Sequence, residues 1–490
     1  MKESPAIFVI PTYRLRDVAA TVEAYDQHFR ANGHEVKIMV FDDSSVANHE
    51  KYFPLLEDTR TANEVIYVGP REKEQFLSLL GRRLRDSKLD ALMRNLFRPS
   101  YGGNRNFTLM YTLGSMMISS DDDMRPHGLI ESSPESLADR EVSRGKLMEP
   151  KRGLFFEKSF DIMTAFRDVL GEKVCDLPGN YEHGELLEDT AMDLETNVTT
   201  SFAGENSLLL REGTVSSRAR VKIAQTFRTG TNDIDALDYV HMYLDDASQQ
   251  QANLHEFNRQ YVLVNFRPVV TNKNWRMDCG VAGYDNRLGL PPFFPTRLRF
   301  EDFIYRLWIQ QPGMVAAHVD AVQTHTKNNY MRNPLAMDVF NEELCTLLKK
   351  KIIGSIERMD SLGIRFGYRG EVDMKDSQEI LEKIEGVHSL VLRSAKTTKN
   401  RSRRQALELF AENLARSFYG FEPDFFQQNI SRIVDDVVSV IHASLEIWPM
   451  LVEICYYQKD KNPFAHVRVK NRRIGSRATS SANVRHPVLS

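Results

Sequence analysis

Residues 6–45 read AIFVIPTYRLRDVAATVEAYDQHFRANGHEVKIMVFDDSS. Two apolar runs, residues 6–10 and 36–41, stop at the turn-forming stretches PTY and DDSS and have the composition of strands buried on both faces. Between them Val18, Val22, Tyr25 and Phe29 recur at helical spacing, and Gly33 stands just past the end as a stop. Strand, helix and strand in that order make a βαβ unit. A third run, EVIYVG from Glu64, and the apolar residues ahead of Asp121 continue the alternation, with helical stretches near 73–84 and 104–113. The pattern predicts an open α/β sheet. In such sheets ligands bind outside the carboxyl ends of the strands, where Thr12, Asp43 and the triplet Asp121, Asp122 and Asp123 fall.

The triplet closes residues 112–126, TLGSMMISSDDDMRP, directly after an apolar run. Three carboxylates cannot be buried side by side without large desolvation and repulsion costs. Either a positive partner sits among them or they form a solvated acidic turn before Pro126. Their place after a buried strand favours the first reading. Hard ions such as Mg²⁺ or Mn²⁺ take carboxylate oxygens and accept an imidazole less selectively.

The chain has 490 residues, 42% hydrophobic and 27% charged, the composition of a globular protein with room for two or three domains. A net charge of −3, from 64 basic and 67 acidic residues, advertises no nucleic-acid or membrane partner. The four cysteines, Cys175, Cys279, Cys345 and Cys455, form no CxxC pair, which suits a reducing compartment and excludes a cysteine-rich zinc module. The apolar stretch near the N-terminus is too short for a signal segment, and no long apolar run stands out to span a membrane. A cytoplasmic location is the expectation.

VIPTYR, then VFDDSS, GGNRN and ISSDDDMRP in that order, resemble the nucleotide-sugar half of a GT-A glycosyltransferase, most closely glycosyltransferase family 2. Further on, CGVAGYDNRLGLPPFFPTRLRFEDF resembles the family's GG(F/Y)DE loop and its ED acceptor-site motif, and AVQTHTKNN its closing strand and histidine. The family more often has ARNxG and DxD where this chain has GGNRN and DDD. The resemblance implies a Rossmann-like nucleotide-sugar-binding sheet and a metal-dependent transfer from a nucleoside-diphosphate sugar to a hydroxyl acceptor. In it Asp43 accepts a hydrogen bond from the base, and Pro11, Thr12 and Tyr13 line the base. Arg105 is the match to the family's arginine and meets the diphosphate. Asp121, Asp122 and Asp123 address ribose and metal from one loop, and His325 completes the metal shell, with His318 the weaker choice.

The chemistry gives these roles their reasons. A departing diphosphate carries extra negative charge, and a bridging divalent cation stabilises it. In RLRFEDFIYRLWIQQ, Phe300, Phe303, Ile304, Leu307 and Trp308 form one apolar helical stripe, with Glu301 and Asp302 at the helix start. Acidic residues there complement the helix dipole. By motif position, Asp302 rather than Glu301 is the general base that deprotonates the acceptor, with inversion at the anomeric carbon. The DDSS stretch is also good turn and capping chemistry.

These readings divide the chain into a GT-A domain over 1–332, with an inserted acceptor-side region at 131–265, a helical domain over 333–460 suited to homo-oligomer contacts, and a basic, flexible tail over 461–490. Asp245 with Asp246, and the cluster from His183 to Asp189, read as solvated helix faces. A nucleotidyltransferase uses a similar sheet, but its glycine-rich, lysine-containing phosphate loop has no counterpart in IPTYRLRD. A noncatalytic nucleotide- or carbohydrate-binding subunit is the other alternative.

Overall fold

The computed structural model describes residues 6–44, 46–131, 143–147, 155–177, 182–183, 220–231, 260–266, 269–271, 279–295, 301–302, 305, 314–326, 336–354, 356–360, 363–366, 372–418, 423–459, 461 and 464–470. The chain is α/β, and its described strands build a 15-stranded mixed sheet and a small hairpin. Strands β1 (Ala6–Thr12), β2 (Lys37–Asp42), β3 (Glu64–Val68) and β4 (Met116–Ser120) stand in the order β3-β2-β1-β4, all parallel. The winding therefore reverses beside β1. The crevice outside the carboxyl ends of β1 and β4 is the switch point at which such sheets hold ligands.

The sheet continues through β5 (Met124–Arg125), β6 (His127–Glu131), β7 (Ser143–Leu147), β8 (Phe155–Ser159), β9 (Glu182–His183), β10 (Arg220–Thr231), β11 (Gln260–Phe266), β12 (Val269–Thr271), β13 (Val281–Asp285) and β14 (Met314–His325). β13 runs antiparallel to β4 and pairs Val281 with Ser120. β14 runs antiparallel to β5 and brings His325 opposite Met124. The described strands of the expected insertion, residues 131–265, thus join the same sheet; Asp245, Asp246 and residues 184–189 lie outside the described residues.

Alternation along each strand feeds two cores. Phe8, Ile10, Ile38 and Val40 face one side and pack with Val18, Val22, Tyr25 and Phe29 of α1 (Leu15–Ala31). Gly33, at φ +75°, ends α1 as the spacing predicts. α2 (Val46–Glu57) covers the same face. Val9, Met39 and Phe41 face the other side, toward α3 (Pro70–Leu84), α4 (Ser87–Leu96) and α5 (Tyr101–Tyr111). α5 begins three residues earlier than the sequence suggests, because Ser100 caps it by accepting from the Gly103 amide at 3.0 Å. α6 (Ile162–Arg167) returns to the α1 side.

The C-terminal helices, α7 (Ala336–Gly354), α8 (Met374–Thr397), α9 (Arg401–Phe418) and α10 (Pro423–Gln458), do not form a core of their own. Leu344, Ile384, Leu407, Val434 and Trp448 belong to the core that holds Phe41 and Phe107. Arg98 grips Asp436 of α10 with both terminal nitrogens, at 2.9 and 2.8 Å, and the Trp448 indole donates to the Leu290 carbonyl at 2.7 Å. Much of the apolar stripe read as a dimerisation surface is therefore spent within the chain. Residues 426–458 of α10 are long and apolar enough to cross a membrane, yet 50% of the most apolar window is buried in the fold. Beyond a hairpin of β15 (Ile356–Asp360) and β16 (Gly363–Phe366), the expected flexible tail needs correction. Within it β17 (Val467–Arg468) adds to the outer edge of β3, covering an otherwise open strand, while residues 471–490 lie outside the described residues.

Two stability predictions arise from the packing. A Cβ built on Gly102 would stand 2.1 Å from the Phe294 carbonyl oxygen. Helix propensity alone predicts that Gly102→Ala gains about 1 kcal/mol, whereas overpacking predicts a loss of about 1–3 kcal/mol. Urea unfolding should show the loss; a gain would mean that α5 does not rest on the backbone at Phe294. The second concerns His28 of α1, whose ring is buried and whose Nε2 meets no partner among the described residues. Burial, opposed by Asp161, pushes its pKa down to about 4. A histidine with a lowered folded pKa contributes stability that is present above its unfolded value near 6.5 and lost as pH falls toward 4. His28→Gln should therefore flatten the pH dependence of unfolding between pH 7 and 4, by up to about 3 kcal/mol. An unchanged slope would place the ring in water.

Candidate functional site

Three polar clusters meet at the carboxyl ends of β1, β2 and β4. The first surrounds the aspartate triplet. The Thr12 hydroxyl donates to Asp122 Oδ2 at 2.6 Å, and the Arg14 amide donates to the same oxygen at 3.2 Å. Arg14 Nη1 donates to Asp122 Oδ1 at 3.3 Å and also to Asp123 Oδ2. His325 Nε2 reaches Asp123 Oδ2 at 3.2 Å. Burial pushes the Asp122 carboxyl up to about 7 against the pull of Arg14. Burial acts on Asp123 too, but the hydrogen bond and charge of His325, then Arg14, outweigh it and hold this carboxylate well below its usual range.

The second cluster is built around Arg105 of α5. Its guanidinium is buried and donates to Asp121 Oδ1 at 2.8 Å, to the Ser119 hydroxyl at 3.3 Å and to the Cys279 carbonyl at 3.1 Å. The antiparallel pairing of β13 with β4 continues past the strands, where the Asp121 amide donates to the Gly280 carbonyl at 3.2 Å. Asp121 is the open member of the triplet, its side chain 41% exposed. Burial works against the charge of Arg105, yet Asp121, and at longer range Asp302, keep it firmly protonated. Residues 301 and 302 are helical; Glu301 is buried and Asp302 half-buried. Burial, then the Asp302 charge, pushes the Glu301 carboxyl up to about 8 against the influence of Arg105. Near neutral pH Glu301 therefore favours its protonated form.

The third cluster sits at the end of β2. Asp42 Oδ1 accepts from the Ser44 amide at 2.7 Å, an Asx turn, and its Oδ2 accepts from the Tyr67 hydroxyl at 2.8 Å. Turn chemistry in DDSS therefore belongs to Asp42. Asp43 accepts from Lys73 Nζ at 3.2 Å and from the Ser100 amide at 3.1 Å. Lys73 is buried and also donates to the Asp42 carbonyl and to Asn104 Oδ1, both at 2.7 Å. Burial lowers its pKa despite Asp43. Beside this cluster Tyr13, 48% exposed, meets Tyr101 edge to face at 6.2 Å.

The structure thus brings Thr12, Asp122, Asp123 and His325 together, and Arg105 with Asp121 near Glu301 and Asp302. Of the three residues expected to line a base, Pro11 and Thr12 are buried and Tyr13 is open. His318 is apart from them, its ring on Phe227 at 4.8 Å and its Nε2 2.7 Å from the Gln225 amide nitrogen. The expected metal shell of Asp121, Asp123 and His325 does not fit a divalent ion as it stands. Asp121 is turned to Arg105, Arg14 lies on Asp122 and Asp123, and among the described residues no three His, Cys, Asp or Glu side chains gather closely enough to hold a metal.

Sequence reasoning missed Arg14, Lys73 and Tyr101. Arg14 pairs with carboxylates 108 and 109 positions away. Its one local sign is a basic residue just past a buried strand. Lys73 lies on the apolar side of α3, between Pro70 and Phe76, where a lysine needs a carboxylate partner. No protein-family model matches the chain, and no curated protein matches it either.

Proposed function

We propose that the chain is a glycosyltransferase of GT-A type, moving a sugar from a nucleoside-diphosphate donor to a hydroxyl acceptor with inversion. The observation that carries this reading is the convergence of the three clusters on one switch point. Beside β1 and β4 the aspartate pair held by Arg14, the buried Arg105 with solvent-facing Asp121 near Glu301 and Asp302, and Asp43 with the open aromatic pair Tyr13 and Tyr101 beside it gather at one end of the sheet. Each has a use in the transfer. Tyr13 and Tyr101 offer ring faces to a nucleobase. Arg105 offers a fixed cation to the diphosphate, which develops charge as it leaves. Asp302 is the base that takes the acceptor proton on the far side of the anomeric carbon, and Glu301, being protonated, supports without competing. With Arg14 and Arg105 already on the triplet, no step is routed through a metal ion.

The experiment is a thermal-shift screen of the full chain against uridine, guanosine, thymidine, adenosine and cytidine diphosphate sugars, with the matching nucleoside monophosphates as controls. The expected result is a rise in melting temperature for one base, larger for the diphosphate sugar than for the monophosphate. Equal rises for both, or none for any donor, would remove the diphosphate role of this crevice.

A further inference from the structure

We infer, on the donor-binding reading above, that Arg14 takes the place of a divalent cation between Asp122 and Asp123, so that this chain binds its nucleoside-diphosphate sugar without a metal. Arg14 stands two residues past the end of β1, at the N-cap of α1. Its amide and its guanidinium both address Asp122, at 3.2 and 3.3 Å, and the same Nη1 bonds Asp123. Both carboxylates are buried, so a metal would have to displace a guanidinium that already makes charge-assisted bonds to each of them.

The surroundings fix this arrangement from behind. Thr12 donates to the Asp122 carboxylate, Thr21 donates to the Asp122 carbonyl, and Arg125 donates to the Thr21 hydroxyl at 2.6 Å. His325 holds Asp123 from the β14 side. On its outer side Arg14 Nη2 donates to the Tyr13 hydroxyl at 3.1 Å, and its guanidinium lies 5.0 Å from the Tyr13 ring centre. The guanidinium therefore runs from the buried carboxylates to the rim of the crevice, its side chain 29% exposed. With Arg105 it gives two fixed positive charges at one strand end. Two arginines can meet a diphosphate with bidentate bonds that a lone ammonium cannot make.

Two titrations test this independently. In the first, Mn²⁺ alone is added to the full chain and followed by its paramagnetic resonance signal. The inference predicts no saturable site tighter than millimolar; a stoichiometric site that disappears in Asp123→Asn would overturn it. In the second, the donor found by thermal shift is titrated in chelator and again in Mn²⁺. Equal affinity in the two media is expected, with a loss of about tenfold or more in Arg14→Gln and partial recovery in Arg14→Lys. Donor binding only in Mn²⁺, or full affinity of Arg14→Gln in chelator, would overturn the inference while leaving glycosyl transfer intact. Should no nucleotide sugar bind in either medium, the functional reading falls, and the Mn²⁺ titration alone still decides the role of Arg14.

Discussion

Asp302→Asn is expected to lower turnover by about 10²–10⁴ while donor affinity and melting temperature stay close to wild type. The amide keeps the shape and most hydrogen bonds of the carboxylate but cannot take a proton. Glu301→Gln is the informative neighbour. Burial and the Asp302 charge keep Glu301 protonated near neutral pH, so its amide is nearly isoelectronic with the form already present. Its turnover should change by less than about tenfold. If both carboxylates served only to complement the helix dipole, each change would cost a few tenths of a kcal/mol of stability and leave the rate alone. Full turnover in Asp302→Asn with collapse in Glu301→Gln would show that the base is the other carboxylate. Full turnover in both would remove the general base from this helix.

The second large effect is expected at Arg105. Its guanidinium makes three bonds in the fold, and Asp121, its charged partner, is open enough to be solvated when left alone. The structural loss is thereby softened. The loss of a preorganised cation at the departing diphosphate is not, and Arg105→Gln should reduce kcat/KM by about 10²–10³. Arg105→Lys keeps the charge but not the forked geometry and should fall between the two. Asp121→Asn separates the roles. If Asp121 only orients Arg105, its amide should weaken donor binding modestly and leave the pH profile unchanged. Arg105→Gln with unaltered kcat/KM but a lower melting temperature would make the Arg105–Asp121 pair purely structural.

Much of the parallel half of the sheet was legible because its signals are local. Runs such as AIFVI and EVIYV bury both faces, and Val18, Val22, Tyr25 and Phe29 repeat at the helical period before Gly33. The carboxyl-end positions of Thr12, Asp43 and the triplet follow from that alternation alone. What the sequence concealed depends on partners far along the chain. Three consecutive aspartates announce a need for positive charge but not its source. That source is Arg14 for two of them and Arg105 for the third. Likewise, DDSS reads as either a turn or a ligand site. Only the fold shows Asp42 closing the turn while Asp43 turns to Lys73 and the Ser100 amide. The apolar stripes of α8, α9 and α10 announce burial without saying against what. Trp448 reaching the Leu290 carbonyl and β17 returning to β3 answer that through contacts with no local signature.

The most direct test of glycosyl transfer is the identity of the leaving group. The full chain is incubated with each nucleoside-diphosphate sugar and a mixture of hydroxyl acceptors, and the released phosphates are resolved by phosphorus NMR. Release of a nucleoside diphosphate from one donor is expected, abolished or nearly so in Asp302→Asn. Formation of pyrophosphate, or tight donor binding without turnover of any donor by the wild-type chain, would contradict glycosyl transfer.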